Sequence, residues 1–445
     1  MRMSTTDLSL FIRDTSLCDT HEHMPREDHY LDDNPDILRH LFHNYVMNDF
    51  WSGGVSQPAF EALGDATNPD IRGRFKAVEE TWKTIQHTGY AEAVQLTAKH
   101  LYGIDEISPD TLAQAAERNA ELVQPGQRLH MLRDIANLDH IQTDDSRWPC
   151  TPDKSGPDFF FYDMTWRDFC CGVPDLEAIA EETGVQVTNL ATLREAMSSL
   201  FRKHASTAIA VKSQHAYART LYWRERSDDE AEKAFQVLRR NGDAAQWEYP
   251  KPDSATEEAL LCLGDWSWAR GCELCAEYDL PFKIHTGYYA GNDRMPVDYI
   301  RSGNMCSLLA KYPDTRFVLM HIAYPYSHEL TALAKHYRNV YVDLCWAWTI
   351  DPYSACDFVR RYLHAAPANK LFIFGGDTFF PAPAVGYSLQ ARQWFARAME
   401  GEVADGLLNE KEAIALAQRL MRDNQYDCFR VESKRAEIVA SLVSH

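Results

Sequence analysis

Eight short apolar runs, spaced so that helical stretches fit between most of them, constrain this chain more than any other feature. They are Leu17–His23, Ala136–Thr143, Phe159–Asp163, Thr207–Lys212, Pro281–His285, Arg316–His321, Val340–Leu344 and Lys370–Asp377. Runs this short and this continuously apolar suit strands buried on both faces, as in a parallel sheet. Helical stretches fall at Asp175–Glu182, Leu190–His204, Asp228–Arg240, Glu257–Glu277, Tyr299–Lys311, Ser327–Tyr337 and Ser354–His364, with closing helices at Leu389–Met399 and Glu410–Asp423. Strand–helix alternation means βαβ units, and eight such units close into a barrel. The expected fold class is α/β, a (β/α)8 TIM-type barrel.

One interval breaks the rhythm. Between His23 and Ala136 there is no good strand, and Ile71–Thr88, Tyr90–Leu101 and Ser108–Leu122 carry helical periodicity. The expected organisation is a barrel from residues 1–23 and 131–445, with a mostly helical insertion, residues 24–130, after strand one. Because it leaves the C-terminal end of that strand, the insertion is expected over the barrel mouth. Residues 241–256 read as the clearest loop.

Composition sets limits on partners. Lys and Arg total 45 against 65 Asp and Glu, a net charge of −20. That balance disfavours nucleic acid and anionic membranes, which need a basic face. No apolar run is long enough to span a bilayer. The eleven cysteines are odd in number, and the first residues show no apolar leader, so a reduced, cytoplasmic protein is expected. Cys272 and Cys275 lie in a helical stretch with no second pair at zinc-ribbon spacing, and read as core. A small-molecule substrate is expected, and a homo-oligomer is left open.

The ionisable residues carry the functional signal. Residues two apart on a strand share a face, so His21 and His23 present two imidazoles together at the end of strand one, with Asp19 before them. Lys212 ends strand four, His285 strand five, His321 strand six and Asp377 strand eight. Strand ends converge on the face where barrel active sites lie. Imidazole and carboxylate together suit Zn²⁺, Mn²⁺ or Fe²⁺. His21, His23, His285 and Asp377 are the expected ligands, with Asp377 also a general base. His321 is expected to be catalytic, or a ligand if two metals bind. Lys212 joins the ligands only if carboxylated; otherwise it pairs with a substrate carboxylate or is structural. Tyr217, Arg219 and Trp346 are candidates to touch substrate, with Arg294 a further cation and Trp348 a further aromatic.

The motifs Asp-Thr-His21-Glu-His23, Lys-Ile-His285-Thr-Gly, Leu-Met-His321, Val-Tyr-Val-Asp343 and Phe-Gly-Gly-Asp377 resemble the amidohydrolase superfamily of metal-dependent (β/α)8 enzymes, its amidohydrolase-2 branch in particular. That branch includes decarboxylases and, more distantly, uronate isomerases. Residues 210–219 (AVKSQHAYAR) are similar to nodulin-like domains, some of which are fused to glutamine synthetase-like domains. The resemblance implies His21, His23, His285 and Asp377 as ligands of one or two divalent metals, Zn²⁺ foremost, and Asp343 as a supporting residue. It implies a hydrolase that uses activated water on a carbonyl, ester, lactone or amide. The alternatives are a decarboxylase of an unsaturated or aromatic acid, a uronate-type isomerase, or a barrel without activity serving as a regulatory or scaffolding module.

Overall fold

The computed structural model describes residues 6–144, 147–241, 254–290 and 295–443. Its eight strands are β1 (Leu17–Glu22), β2 (Leu138–Asp144), β3 (Phe160–Thr165), β4 (Ala208–Ser213), β5 (Phe282–Ile284), β6 (Phe317–Leu319), β7 (Val340–Asp343) and β8 (Leu371–Phe372). They form one sheet in the order β1 to β8, and each neighbouring pair is parallel. Each expected run supplies one strand, and the α/β barrel follows as expected. Closure comes just past the end of β8. Thr20 N donates to Phe374 O (3.2 Å), Asp377 N to His21 O (2.8 Å) and His23 N to Thr378 O (2.9 Å). The ring is therefore sealed by the residues that carry the candidate ligands.

Burial explains why the strands read so clearly. Every residue of β1, β4, β5 and β6 is buried. The interior also holds charge. Lys283 and Asp163 are fully buried and paired, with Lys283 Nζ 2.9 and 2.8 Å from the two carboxylate oxygens and donating to Thr20 O at 2.7 Å. At the opposite end from the mouth, Phe429 packs on Phe372, with ring centroids 5.5 Å apart. Phe161, Val318, Val431 and Ile438 join this separate apolar cluster. The C-terminal helices Asn424–Phe429 and Val431–Val443 thus plug the bottom of the barrel.

Between β1 and β2 the chain is helical, from Glu27–Asp33 to a π-helical turn at His130–Ile135. The expected long helices break up: Ile71–Lys76 is followed by Glu79–Ile85, and Pro109–Gln114 by Ala116–Leu122. Helix Gly89–Tyr102 holds, with Thr88 as its N-cap and Gly103 closing it in the left-handed conformation. It lies against Pro381–Ala404, the long helix after β8 that encloses the expected Leu389–Met399. The helices approach closely at Gly386, where a Cβ would stand 2.2 Å from Ala93 O. Glu92 accepts from Gln390 (2.7 Å) and Trp394 (2.9 Å) beside that contact. The insertion is therefore bound down the barrel's flank as well as facing its mouth.

None of the eleven cysteines forms a disulfide, and Cys272 and Cys275 are buried in helix Ser254–Glu277. Most of the expected loop at 241–256 lies outside the described residues, as does Arg294. Among the described residues no helix is long and apolar enough to cross a membrane.

Candidate active site

The mouth of the barrel brings the imidazoles and one carboxylate together. His21 Nε2 and His23 Nε2 are 3.3 Å apart. Asp377 Oδ1 lies 3.0 Å from His23 Nε2 and 3.5 Å from His21 Nε2. His321 Nε2 is 3.9 Å from Asp377 Oδ2. His21, His23 and Asp377 thus offer three ligand atoms within 4.8 Å of one another. Lys212 Nζ lies 2.8 Å from His21 Nε2.

Local sequence positions these groups. The strand alternation aims Asp19, His21 and His23 inward. Asp19 does not join the donor set. Its Oδ1 accepts from His21 N (3.1 Å) and Gly376 N (3.3 Å), bracing the β8 loop against β1. Glu22 Oε2 takes the Thr378 hydroxyl (2.8 Å) and the Thr378 amide. A Cβ at Gly376 would stand 2.1 Å from Glu22 Oε1, so a larger residue there would displace the Glu22 carboxylate from Thr378. Asp377 itself has φ +58°, His321 +61° and Trp346 +62°. Three bulky residues in the left-handed region at three strand ends mark stored backbone strain of the kind found at functional sites.

The electrostatics follow from burial and mutual contact. Burial, with Lys212 next, drives the His21 pKa well below its ordinary value, and burial with His321 does the same to His285. Burial lowers His321 to about 4. Burial also opposes a charged His23, but pairing with Asp377 outweighs it and the net shift is upward. Burial likewise works against an ionised Asp377, yet the His23 contact wins and holds it well below the usual carboxylate range. The cluster is one anionic carboxylate beside His21, His285 and His321, whose neutral forms burial favours, and His23, whose charged form the carboxylate favours.

Whether a divalent metal fits can be judged from the unpaired atoms. His321 Nε2 and Asp377 Oδ1 are buried with no well-aligned hydrogen bond. Such orphans are costly unless a group other than the protein's own atoms satisfies them. The His, His, Asp donor set is of the type that zinc-class ions take. The residues fit the metal.

Other expected residues are placed differently. His285 Nε2 is engaged with Tyr288 O at 3.1 Å, so to ligate it must release that bond or use Nδ1. Its ring lies 4.4 Å from that of His321. Arg219 is not a substrate contact: its guanidinium is buried and used up on Asp265 (2.6 Å) and on the carbonyls of Cys170, Thr220, Tyr222 and Leu261. Trp346 packs edge-on against His321 (5.4 Å) and under Tyr45 (4.1 Å). Trp348 donates to Ile373 O at 2.7 Å and is structural. Asp343 accepts from Thr20 Oγ1 (2.6 Å) and Cys345 N (2.8 Å), supporting β1 from β7.

A cavity of about 550 Å³ opens onto the cluster. His23, Lys212, Tyr217, His285 and Asp377 line it, and so do His43, Asn44, Tyr45 and Phe60 from the insertion. Arg167 also lines it, at the start of the helix after β3. Reading the sequence missed Arg167, although its place just past a strand end was a usable signal.

Residues 224–415, which span β5 to β8, match the family model for the amidohydrolases, Amidohydro_2. That half of the barrel is similar to the amidohydrolases. Over 244 residues, or 52% of the chain, it is 28% identical to protein fluG of Emericella nidulans; that match covers 27% of fluG, so the chain spans about a quarter of its curated relative's length. Glucuronate isomerase of Caulobacter crescentus shares the fold at TM-score 0.76 and 18% identity, covering 96% of this chain and 93% of that one. Uronate isomerase of Thermotoga maritima gives 0.73 and 14%, covering 95% and 96%. A Lactobacillus casei protein described as a metal-dependent hydrolase gives 0.66 and 16%, covering 97% and 99%.

Proposed function

We propose that this amidohydrolase-superfamily barrel is a hydrolase that uses one divalent cation, held by His21, His23 and Asp377, on a small substrate bearing a carboxylate. The observation that carries this is the convergence of three ligand atoms within 4.8 Å at the floor of the cavity. A bound divalent ion supplies Lewis-acid polarisation and lowers the pKa of water towards ~7. Asp377, kept anionic by His23, accepts the proton of the attacking water at Oδ2. His321, neutral and 3.9 Å from that oxygen, stabilises charge on the substrate oxygen or relays the proton. Arg167 and Lys212 supply positive charge along the cavity for a substrate carboxylate, and Tyr45, Tyr217 and Phe379 supply its apolar wall.

A second reading, isomerisation of a sugar acid, is favoured by the two uronate-isomerase relatives and by the cationic lining of the cavity. Oxygen-18 water separates the two, because hydrolysis places one solvent oxygen in the newly formed carboxylate and isomerisation leaves the carboxylate unlabelled. The test screens carboxylate-bearing lactones, esters and amides beside uronates with protein of measured metal content. Solvent oxygen in the product carboxylate, lost with chelator and with Asp377→Asn, is expected. Purified protein that neither carries nor takes up Zn²⁺, Mn²⁺ or Fe²⁺ overturns the proposal.

A further inference from the structure

The side of the two histidines that faces away from Asp377 is also organised. His23 Nδ1 lies 3.3 Å from Asp144 Oδ2, and His21 Nδ1 lies 3.8 Å from Asp144 Oδ1. A single carboxylate therefore spans both Nδ1 atoms, while both Nε2 atoms converge on Asp377. His21 Nδ1 and Asp144 Oδ1 are buried and carry no hydrogen bond. Asp163 also reaches His21 Nδ1 at 3.8 Å, but both its oxygens are taken by Lys283. Asp144 Oδ1, by contrast, accepts no hydrogen bond from the protein.

The end of β2 is tied down so that Asp144 stays beneath the pair. Its neighbour Thr143 donates to Glu22 O at 3.0 Å and accepts from Met24 N at 3.1 Å, on either side of His23. An imidazole that donates at one nitrogen offers a lone pair at the other. A carboxylate facing Nδ1 favours the proton there and leaves Nε2 as the ligand atom.

We propose that Asp144 is a positioning residue, which holds the Nδ1 faces of His21 and His23 so that both Nε2 atoms form the cation site. This rests on the reading of that site given above. Asp144 acts only through the two rings.

Co²⁺ alone serves as the probe, with wild type, Asp144→Leu and Asp144→Asn. Leu matches Asp in heavy-atom count and branching and has no acceptor; Asn retains one. Affinity is read by chelator competition, ligand geometry by the visible absorption of bound Co²⁺, and folding by melting of the metal-free proteins. Asp144→Leu is expected to weaken Co²⁺ binding by about 10–100-fold and to alter the spectrum. Asp144→Asn is expected to fall in between, with metal-free melting within a few degrees of wild type for both. Affinity within twofold of wild type in Asp144→Leu overturns the proposal. So does equal loss in both variants accompanied by collapse of metal-free melting, which would make Asp144 structural. Wild type that fails to bind Co²⁺ overturns the reading of the metal site instead.

Discussion

Replacing Lys283 with Met should destabilise the barrel strongly and in a pH-dependent way. Lys283 and Asp163 are each fully buried, and all three Nζ donors are used, on Thr20 O and the two Asp163 oxygens. Removing one member of a buried pair typically costs about 3–5 kcal/mol, because the other charge is left uncompensated. At ~2.1 cal/mol/K of unfolding entropy per residue, the 445-residue chain converts this to a fall in Tm of roughly 3–5 °C. Burial already raises Asp163 to about 6 despite Lys283. A carboxyl whose folded pKa exceeds its unfolded value destabilises the fold above that pKa, and the penalty fades as pH falls and the proton binds. The deficit of Lys283→Met should therefore be largest at pH 8 and shrink towards pH 5. Pairing it with Asp163→Leu should recover much of the loss at pH 8. The assay is thermal unfolding of metal-free wild type, Lys283→Met, Asp163→Leu and the double variant across that range. A Lys283→Met protein within 1 °C of wild type at pH 8, or a deficit that grows on acidification, would refute the reasoning.

Three further outcomes follow from the site and its surroundings. Arg219→Ala should lower Tm by several degrees and leave the KM of the folded fraction unchanged, since its guanidinium is used on Asp265 and backbone carbonyls; a KM rise with unchanged melting would return it to the substrate. His40 is buried, and burial lowers its pKa to about 4 from 6.5, so the folded state resists a proton that the unfolded state accepts. By linkage its contribution to stability is full above pH 6.5 and falls by about 3 kcal/mol as pH drops to 4; His40→Asn should flatten that part of the pH–Tm profile, and an unchanged slope would refute this. Lys212→Met should keep about one metal equivalent while weakening substrate binding, as read by elemental analysis and KM; loss of an equivalent would show that Lys212 is carboxylated and bridges two ions.

The barrel was legible because its strands are buried on both faces, so each left a short apolar run. His23, Lys212, His285, His321 and Asp377, each of which ends one of the runs, stood out for the same reason: little else polar belongs there. His21, His23, His321 and Asp377, which the structure brings together at the mouth, were singled out in this way. Asp144 and Asp163 were not, because a carboxylate on a strand shows its value only when the partner across the barrel is known. For Asp163 that partner is Lys283, 120 residues away. Arg219 misled for the converse reason. In sequence it sits in a polar run past a strand end, but Asp265, 46 residues on, claims it. The helices of the insertion broke into shorter pieces because their burial comes from contacts with Pro381–Ala404 and the mouth, which local periodicity does not report.

The energetics of the mouth also bear on whether this barrel serves as an inert scaffold. His21, Lys212, His285, His321 and Asp377 are all buried. Burying ionisable groups is unfavourable unless they are paired and hydrogen-bonded, yet His321 Nε2 has no hydrogen-bond partner, Asp377 Oδ1 has only its ion-pair contacts with the histidines, and His321 and Asp377 sit in left-handed backbone. A scaffold gains nothing from this arrangement, since apolar residues of similar volume would pack the same space at lower free energy. Under the function proposed above, a cation would take imidazole lone pairs and the carboxylate together. On this argument the mouth is held in a state ready for metal by Asp19, Glu22 and Gly376 from one side and by Asp144 from the other. The strain there is a property of the site, supported by the closed ring of strands beneath it.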